Sequence, residues 1–243
     1  MTKSAIATGG KAIYGASVGI LMLEARFPRI PGDMGNGLTW PFPVLYKVVR
    51  NASPDLIVRR GAKGMLGHFI AAANELIEDG ADGITTNCGF LALFQDELTA
   101  NLSVPVATSS LMQVAMVDTL MPKGKRAGIL TISSATLTSQ HLEKAGCRID
   151  TPIGGTLEEG VFTSAILNNE LEFDVDQARE ENIEAALSLK HAHPELGAIV
   201  LECTNMVPYA KDIQRATGLP VFSIYSFINW FQAGLNPKTF NHQ

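Results

Sequence analysis

The chain has 243 residues, of which 46% are hydrophobic and 18% charged, so it can bury a sizeable core and contains little material for long disordered segments. The formal net charge is −5 and no run of Lys or Arg occurs, which argues against nucleic acid as a partner because phosphate binding needs a concentrated basic surface. No apolar stretch approaches the ~20 residues of a membrane span. Three cysteines are too few for a disulfide scaffold, and we therefore expect a cytoplasmic protein without membrane contacts.

Short apolar runs alternate along the chain with stretches of helical periodicity. Between the second and third runs, Met65, Phe69, Ala73 and Leu76 recur at the spacing of one helix face. Strands that alternate with helices predict an α/β fold with parallel sheets, in which ligands bind beyond the carboxyl ends of the strands. The runs that we predict as strands are residues 18–23, 55–58, 83–86, 104–107, 127–131, 198–201 and 221–224.

Two cysteines follow predicted strands at equivalent places in the two halves of the chain. Cys88 stands in "GITTNCGFLALFQ" and Cys203 in "GAIVLECTNMVPYAKDI", each between an apolar run and a helical pattern. Cys88 is followed 17 residues later by Pro105, and Cys203 is followed 17 residues later by Pro220. This repetition predicts a duplicated α/β unit with one cysteine at the same position in each copy.

The repeat sets the predicted domain boundaries. Residues 1–121 are expected to form a first α/β domain carrying Cys88, and residues 122–224 a second domain carrying Cys203. The segment of about residues 225–243 is expected to be a helix that packs back on the first domain. The active-site cleft is then expected between the two pseudo-symmetric domains.

Two thiols on opposite sides of a cleft suit proton transfer at one carbon. One sulfur removes a proton from one face and the other delivers a proton to the opposite face, which inverts a stereocentre without a cofactor. The segments after Cys88 and Cys203 have helical patterns, so each sulfur is expected near a helix N-terminus. The helix dipole favours an anion there, and we therefore expect the pKa of at least one thiol to lie below its ordinary value of about 8.5.

The motifs "TNCG" and "ECTN", with their common spacing to a Pro-Val strand, resemble the aspartate/glutamate racemase superfamily from about residue 17 to about residue 236. The resemblance implies a two-domain, cofactor-independent enzyme with catalytic residues Cys88 and Cys203. We also expect a homo-oligomer, for which a homodimer is the simplest form. Amino-acid racemases of that superfamily usually have Cys-Asn-Thr at the first motif, whereas this chain has Cys88-Gly89-Phe90.

These features predict a cofactor-independent racemase or epimerase of a small carboxylate, an amino acid or a related carbon acid. The departure at Gly89 and Phe90 keeps two alternatives from the same superfamily, a β-eliminating lyase such as a dimethylsulfoniopropionate lyase, and a decarboxylase. In the lyase, Phe90 and Trp40 are expected to line a pocket for a sulfonium group, since aromatic faces attract cations. A two-lobed protein that only binds a small ligand is the non-enzymatic alternative.

The predicted substrate-binding residues come from the two cysteine motifs, from the segment after the strand at 127–131, and from the "RFPRIPGDMGN" loop after the first strand. The five histidines do not have the spacing of metal ligands, so no metal is expected. The residues are Asn87, Gly89, Phe90, Thr204, Asn205, Ser133, Ser134, Arg29, Asp33 and Asn36.

Overall fold

The computed structural model describes residues 6–240, and in that part of the chain two four-stranded parallel sheets are flanked by helices. The strand orders are β2-β1-β3-β4 in the first sheet and β6-β5-β7-β8 in the second, so the topology is the same in both. The strands are β1 (Val18–Leu23), β2 (Val44–Val49), β3 (Gly83–Thr86), β4 (Val106–Ala107), β5 (Arg126–Thr131), β6 (Ile153–Gly155), β7 (Leu196–Leu201) and β8 (Val221–Phe222).

Helices connect the strands, as parallel pairing requires. Three 3-10 helices each continue directly into an α-helix. They are Gly89–Phe94, Ser110–Gln113 and Thr204–Tyr209. The α-helices are α1 (Pro54–Val58), α2 (Leu66–Asp79), α3 (Gln95–Asn101), α4 (Val114–Leu120), α5 (Ser139–Lys144), α6 (Val161–Leu167), α7 (Val175–Ala192), α8 (Ala210–Thr217) and α9 (Ile224–Leu235).

The central strands are buried on both faces, which explains their continuous apolar runs in the sequence. All six residues of β1 are buried, as are all four of β3, and β7 is buried except for one partly exposed position. The first cysteine motif follows β3 and the second follows β7. Each of these is the third strand of its sheet in chain order. The α/β fold and the parallel sheets predicted from the sequence are confirmed.

The predicted strand at residues 55–58 is wrong, because this segment is the helix α1. Ser53 caps it by accepting a hydrogen bond from the Leu56 N–H, and Pro54 stands at the first helical position, where a missing N–H costs nothing. The apolar run at residues 56–58 is too short to separate a strand from one helical turn. The predicted strand at 221–224 is shorter than expected. It ends at Phe222, because Ser223 caps α9.

The two strands that the sequence did not predict, β2 and β6, lie at the outer edges of the sheets. β2 alternates between partly buried and exposed residues and contains Lys47, and β6 has three residues, two of them glycines. These two edge strands lack the continuous apolar run of the buried strands, so this signal missed them.

The last helix, α9, lies against the first sheet. Its residues Ile224, Phe227 and Ile228 share a buried cluster with Val18 and Ile20 of β1. It ends at Leu235, earlier than the segment to 243 that the sequence predicts, and residues 241–243 of that segment lie outside the described residues. Between residues 6 and 240, none of the helices has the length and apolar character needed to cross a bilayer.

Candidate active site

The two cysteine motifs meet at one cavity. Cys88 follows β3 and Cys203 follows β7, and each has an extended backbone conformation just before a 3-10 helix. Both are buried, with 9% and 6% of their surface exposed, and both line a cavity of about 20 Å³. This volume accommodates about one water molecule. The parallel strands bring two thiols, 115 residues apart in the sequence, to the same enclosed space.

The other lining residues come from both halves of the chain. Five of the predicted binding residues, all neighbours of the two cysteines in sequence, are among them. The complete lining is Leu23, Phe27, Pro54, Val58, Asn87, Cys88, Gly89, Phe90, Ile132, Ile166, Leu167, Glu202, Cys203, Thr204 and Asn205.

Hydrogen bonds between the motifs hold the cavity closed. Thr204 Oγ1 donates to the Asn87 carbonyl oxygen (2.7 Å). Asn87 Oδ1 accepts a hydrogen bond from the Leu23 N–H at the end of β1 (2.7 Å), which fixes the orientation of the Asn87 amide. From the first half, Ser110 Oγ donates to the carbonyl oxygen of Leu201 in β7 (2.6 Å). The cysteine motif of each half is therefore bonded to the other.

Both cysteine thiols are difficult to ionise in this environment, so the expectation of a lowered cysteine pKa is wrong. Burial raises the pKa of Cys88, and the nearby Glu202 carboxylate raises it further. Burial and Glu202 likewise raise the pKa of Cys203, followed by the charges of Cys88 and Asp33. Backbone N–H groups at the helix starts do favour the thiolates, but desolvation outweighs them because the cavity excludes water.

The two thiols differ in their hydrogen-bond partners. The backbone N–H groups of Phe90 and Leu91 act on the Cys88 sulfur, whereas one N–H group, that of Asn205, acts on Cys203. Cys203 Sγ also donates to Asn205 Oδ1 (3.6 Å), which favours its protonated form. Cys88 is therefore better suited to hold the negative charge, and Cys203 to hold the proton.

Glu202 is a functional candidate that the sequence reasoning missed. Its side chain is 1% exposed, and Thr131 Oγ1 donates to Oε2 (2.7 Å). Its second oxygen, Oε1, is buried without a hydrogen-bond partner among the described residues. Burial raises the pKa of Glu202 to about 7. The sequence does contain an indication of this role. A glutamate stands at the end of an apolar strand, directly before Cys203, and burying a charged group there costs free energy, which a functional role would justify.

Gly89, the residue that departs from the racemase motif, lies against this carboxyl group. A Cβ atom on Gly89 would lie 2.2 Å from Glu202 Oε1 and 2.5 Å from the Glu202 carbonyl oxygen. Real Cβ atoms do not approach that closely, so any side chain at residue 89 would have to displace Glu202. The glycine therefore makes room for the buried carboxyl group.

The loop after β1 reaches the site through Asp33. The Asp33 carboxylate is 3% exposed and accepts hydrogen bonds from Arg29 Nη1 (2.9 Å) and the Gly35 N–H (2.7 Å). It also accepts a hydrogen bond from Nδ2 of Asn205, which lines the cavity. The loop is thereby tied to the second half of the chain. Asn36 Nδ2 donates to the Arg29 carbonyl oxygen (2.8 Å) and so stabilises the loop itself.

Six residues singled out from the sequence are absent from the lining: Arg29, Asp33 and Asn36 of the loop after β1, and Ser133, Ser134 and Trp40. Ser133 is buried and its N–H bonds to Thr131, whereas Ser134 is exposed beside Gly155, and no helix begins at either serine. Trp40 stacks between Phe42 and Tyr225, with ring centroids 5.7 and 5.8 Å apart. The predicted sulfonium pocket therefore has Phe90 in its wall but not Trp40, and Phe27 stands in the lining as a second aromatic residue.

Comparison with known proteins gives the family. The model of the Asp/Glu/Hydantoin racemase family matches residues 71–226, which contain both cysteine motifs. The chain belongs to the Asp/Glu/hydantoin racemase family. Within residues 6–240 of this family member, no group of three or more His, Cys, Asp or Glu side chains is arranged to hold a metal ion.

Curated relatives of this racemase-family chain include dimethylsulfoniopropionate lyases. A dimethylsulfoniopropionate lyase of Durusdinium sp. clade D is 27% identical over 92% of this chain and 77% of its own length. Dimethylsulfoniopropionate lyase 7 of Emiliania huxleyi is 28% identical over 91% of this chain and 68% of its own length.

Solved structures share the fold of this family member. Unliganded arylmalonate decarboxylase has a TM-score of 0.62 at 15% identity, covering 94% of this chain and 95% of the other. A glutamate racemase isoform of Bacillus anthracis has a TM-score of 0.55 at 17% identity, covering 92% of this chain and 85% of its own.

Proposed function

We propose that this racemase-family member is a cofactor-independent lyase that eliminates the β-substituent of a small propionate, with dimethylsulfoniopropionate as the first candidate substrate. The observation that carries the proposal is the buried cavity in which Cys88 stands with the aromatic residues Phe27 and Phe90 and, among the described residues, no Lys or Arg in the lining, which suits a positively charged substrate. Carbon-acid chemistry needs a base beside an acidic C–H, and the thiols supply it. The activity of the dimethylsulfoniopropionate lyases among its relatives supports the choice of elimination.

The reaction divides between the two cysteines. The Cys88 thiolate removes a proton from the carbon next to the substrate carboxylate, and the C–H electron pair forms the Cα–Cβ double bond. The Cβ–S bond breaks, and its electron pair leaves with sulfur. One molecule of dimethylsulfoniopropionate thus yields dimethyl sulfide, acrylate and the proton now on Cys88. Cys203 remains a thiol and faces the substrate from the second half.

The site offers partners for both ends of such a zwitterion. The amide NH2 of Asn87 donates to no protein acceptor among the described residues, so it is available for the substrate carboxylate. The Phe90 ring suits a sulfonium group, because aromatic rings attract cations in desolvated sites, whereas the Phe27 ring already has the Arg29 guanidinium 4.6 Å from its centroid.

The closed cavity is too small for this substrate. A propionate with a dimethylsulfonium group has eight non-hydrogen atoms, whereas about 20 Å³ holds one water molecule. Substrate entry therefore requires the motifs of the two halves to separate, and their closure excludes water from the reaction.

Racemisation of a chiral carbon acid is the second candidate. The observation that favours it is the presence of a thiol from each half on one cavity, since an elimination needs only one base. In the racemase, Cys203 would return a proton to the face opposite Cys88. The candidate substrate is then a small α-substituted carboxylate.

The experiment that tests the proposal uses the purified chain with dimethylsulfoniopropionate, following dimethyl sulfide by gas chromatography and acrylate by NMR. We expect both products in equal amounts, with the rate reduced at least about 100-fold in Cys88→Ser, because a general base contributes 10²–10⁴-fold. Cys147→Ser is the matched control, because the Cys147 thiol is bonded to the Leu111 carbonyl oxygen away from the cavity.

Failure to form dimethyl sulfide, together with inversion of a chiral carboxylate and deuterium uptake from deuterated water, would replace the lyase by the racemase. In that case both Cys88→Ser and Cys203→Ser must lose inversion. Absence of product and of deuterium exchange with every carboxylate tested would contradict both enzymatic functions.

A further inference from the structure

Glu202 stands between the two cysteine motifs as a buried carboxyl group that the proposed reaction steps do not use. It precedes Cys203, and its Oε1 atom contacts Gly89, the residue after Cys88. This oxygen is buried and unpaired within the described part of the chain, although Oε2 is bonded to Thr131. A buried oxygen without a donor is costly as part of a carboxylate, and the cost falls when the group holds a proton.

The charged and titratable groups around Glu202 give it no stabilising cation. Cys88 and Cys203 flank it, and Asp33 is linked to the site through Asn205, with its own charge already paired to Arg29. His141 packs edge-on against Phe90, and burial lowers the pKa of His141 to about 4, so its ring is neutral. An ionised Glu202 therefore meets only neutral or negative groups within the site.

Two negative charges in this enclosed space repel strongly. Water screens charges poorly where it is excluded, so a thiolate beside an ionised Glu202 is much less stable than a thiolate beside a neutral one. The site therefore holds one negative charge, on the carboxyl group or on a sulfur, far more readily than one on each.

We propose that Glu202 is a positioning residue that holds a proton whenever Cys88 acts as a thiolate. The proton passes from Cys88 to Glu202: the S–H bond breaks, an O–H bond forms, and the negative charge moves from carboxylate to sulfur. The total charge of the site does not change. This inference deepens the proposed function, because it explains how a thiol in a dry cavity becomes a base, and it rests on that function only for the identity of the substrate.

The test measures thiol ionisation without any substrate. The rate of alkylation of Cys88 by iodoacetamide is followed against pH by mass spectrometry of the Cys88 peptide, in the wild type and in Glu202→Gln. The amide resembles a permanently neutral carboxyl group. We expect the midpoint of the alkylation profile to fall by about one pH unit or more in Glu202→Gln, because a like charge has been removed. Glu195→Gln, at a partly exposed glutamate away from the cavity, is the matched control and should leave the midpoint unchanged.

An unchanged or raised midpoint in a folded Glu202→Gln protein would overturn the inference. Circular dichroism checks the fold. Should that variant not fold, Thr131→Val provides the second measurement: loss of the Thr131 hydrogen bond raises the pKa of Glu202, so the carboxyl group stays neutral to higher pH and the midpoint should fall by a smaller step. No fall in Thr131→Val would then overturn it.

The outcome is independent of the lyase assay. If the wild type releases no dimethyl sulfide while the midpoint shifts as expected, the proposed substrate fails and the role of Glu202 stands. If dimethyl sulfide is released and the midpoint does not shift, the lyase stands and the role of Glu202 fails. A purely structural glutamate would change stability but not the alkylation midpoint.

Discussion

Glu202 Oε1 occupies the space that a side chain at residue 89 would need, since a Cβ atom on Gly89 would lie 2.2 Å from it. Gly89 stands in one half of the chain and Glu202 in the other, so the contact fixes the two cysteine motifs relative to each other. The glycine that departs from the amino-acid racemase motif and the glutamate before Cys203 are therefore parts of one arrangement.

Gly89→Ala tests this relationship. The new methyl group must displace Glu202 or push the two motifs apart, so we expect a loss of about 1–3 kcal/mol in the free energy of unfolding and at least a tenfold loss of kcat/KM. Urea denaturation and the product assay measure the two effects. Gly67→Ala is the control, because Gly67 is exposed near the start of α2 with no atom within 4 Å of a built Cβ.

In the control we expect unchanged activity and a small gain in stability, since alanine is a better helix former than glycine. Equal effects of Gly89→Ala and Gly67→Ala would show that the contact with Glu202 is unimportant.

The pH dependence of stability should reveal the buried carboxyl group. Burial raises the pKa of Glu202 from an ordinary value of about 4.5 to about 7 in the folded chain, so folding favours its protonated form. Its contribution is fully present below pH 4.5 and is lost as the pH rises through 7, an effect on the order of 3 kcal/mol at one pKa unit per 1.36 kcal/mol.

Glu202→Gln should remove this dependence. The free energy of unfolding of the variant, relative to wild type, is expected to increase by about 3 kcal/mol between pH 4.5 and pH 7.5 in urea denaturation experiments. A difference between the two proteins that stays constant with pH would mean that Glu202 titrates normally.

Asp33→Asn tests the link between the loop after β1 and the site. The amide can still accept a hydrogen bond from Asn205, but the ion pair with Arg29 is lost, and the Arg29 side chain is only 14% exposed. Leaving a buried charge unpaired should cost about 3 kcal/mol in the free energy of unfolding. We also expect KM to rise, because the loop no longer holds the cavity closed.

Asp150→Asn is the control for Asp33→Asn. Asp150 pairs with Arg126 and Arg148, but its side chain is 52% exposed, so its loss should cost less than about 1 kcal/mol. Denaturant unfolding of both variants decides the matter: similar losses would mean that the Arg29–Asp33 pair is no more than a surface ion pair.

Asn87→Asp tests the carboxylate position. The substitution keeps the oxygen that accepts from the Leu23 N–H but replaces the amide NH2 by a second oxygen with negative charge. We expect KM for dimethylsulfoniopropionate to rise at least tenfold, and the melting temperature to fall as well, because the new carboxyl group is buried without a cation in the lining. An unchanged KM would place the substrate carboxylate elsewhere in the cavity.

The α/β fold, the family and the pair of cysteines could be predicted from the amino-acid sequence. Buried parallel strands are continuous apolar runs, so β1, β3, β5 and β7 can be predicted from the local sequence. The duplicated motif identifies Cys88 and Cys203. The edge strands β2 and β6 and the single turn of α1 were not legible, because short and half-exposed elements lack a periodic signal.

The pKa values of the two cysteine thiols could not be predicted from the sequence, because they depend on tertiary contacts. Helix starts beside Cys88 and Cys203 predicted lowered pKa values from local sequence, yet burial and the Glu202 carboxyl group raise both. Desolvation depends on everything that packs around a group, and Glu202 meets Gly89 across 113 residues of sequence. Local sequence patterns predict secondary structure. The pKa of a buried group depends on neighbours that are distant in sequence and that only folding brings together.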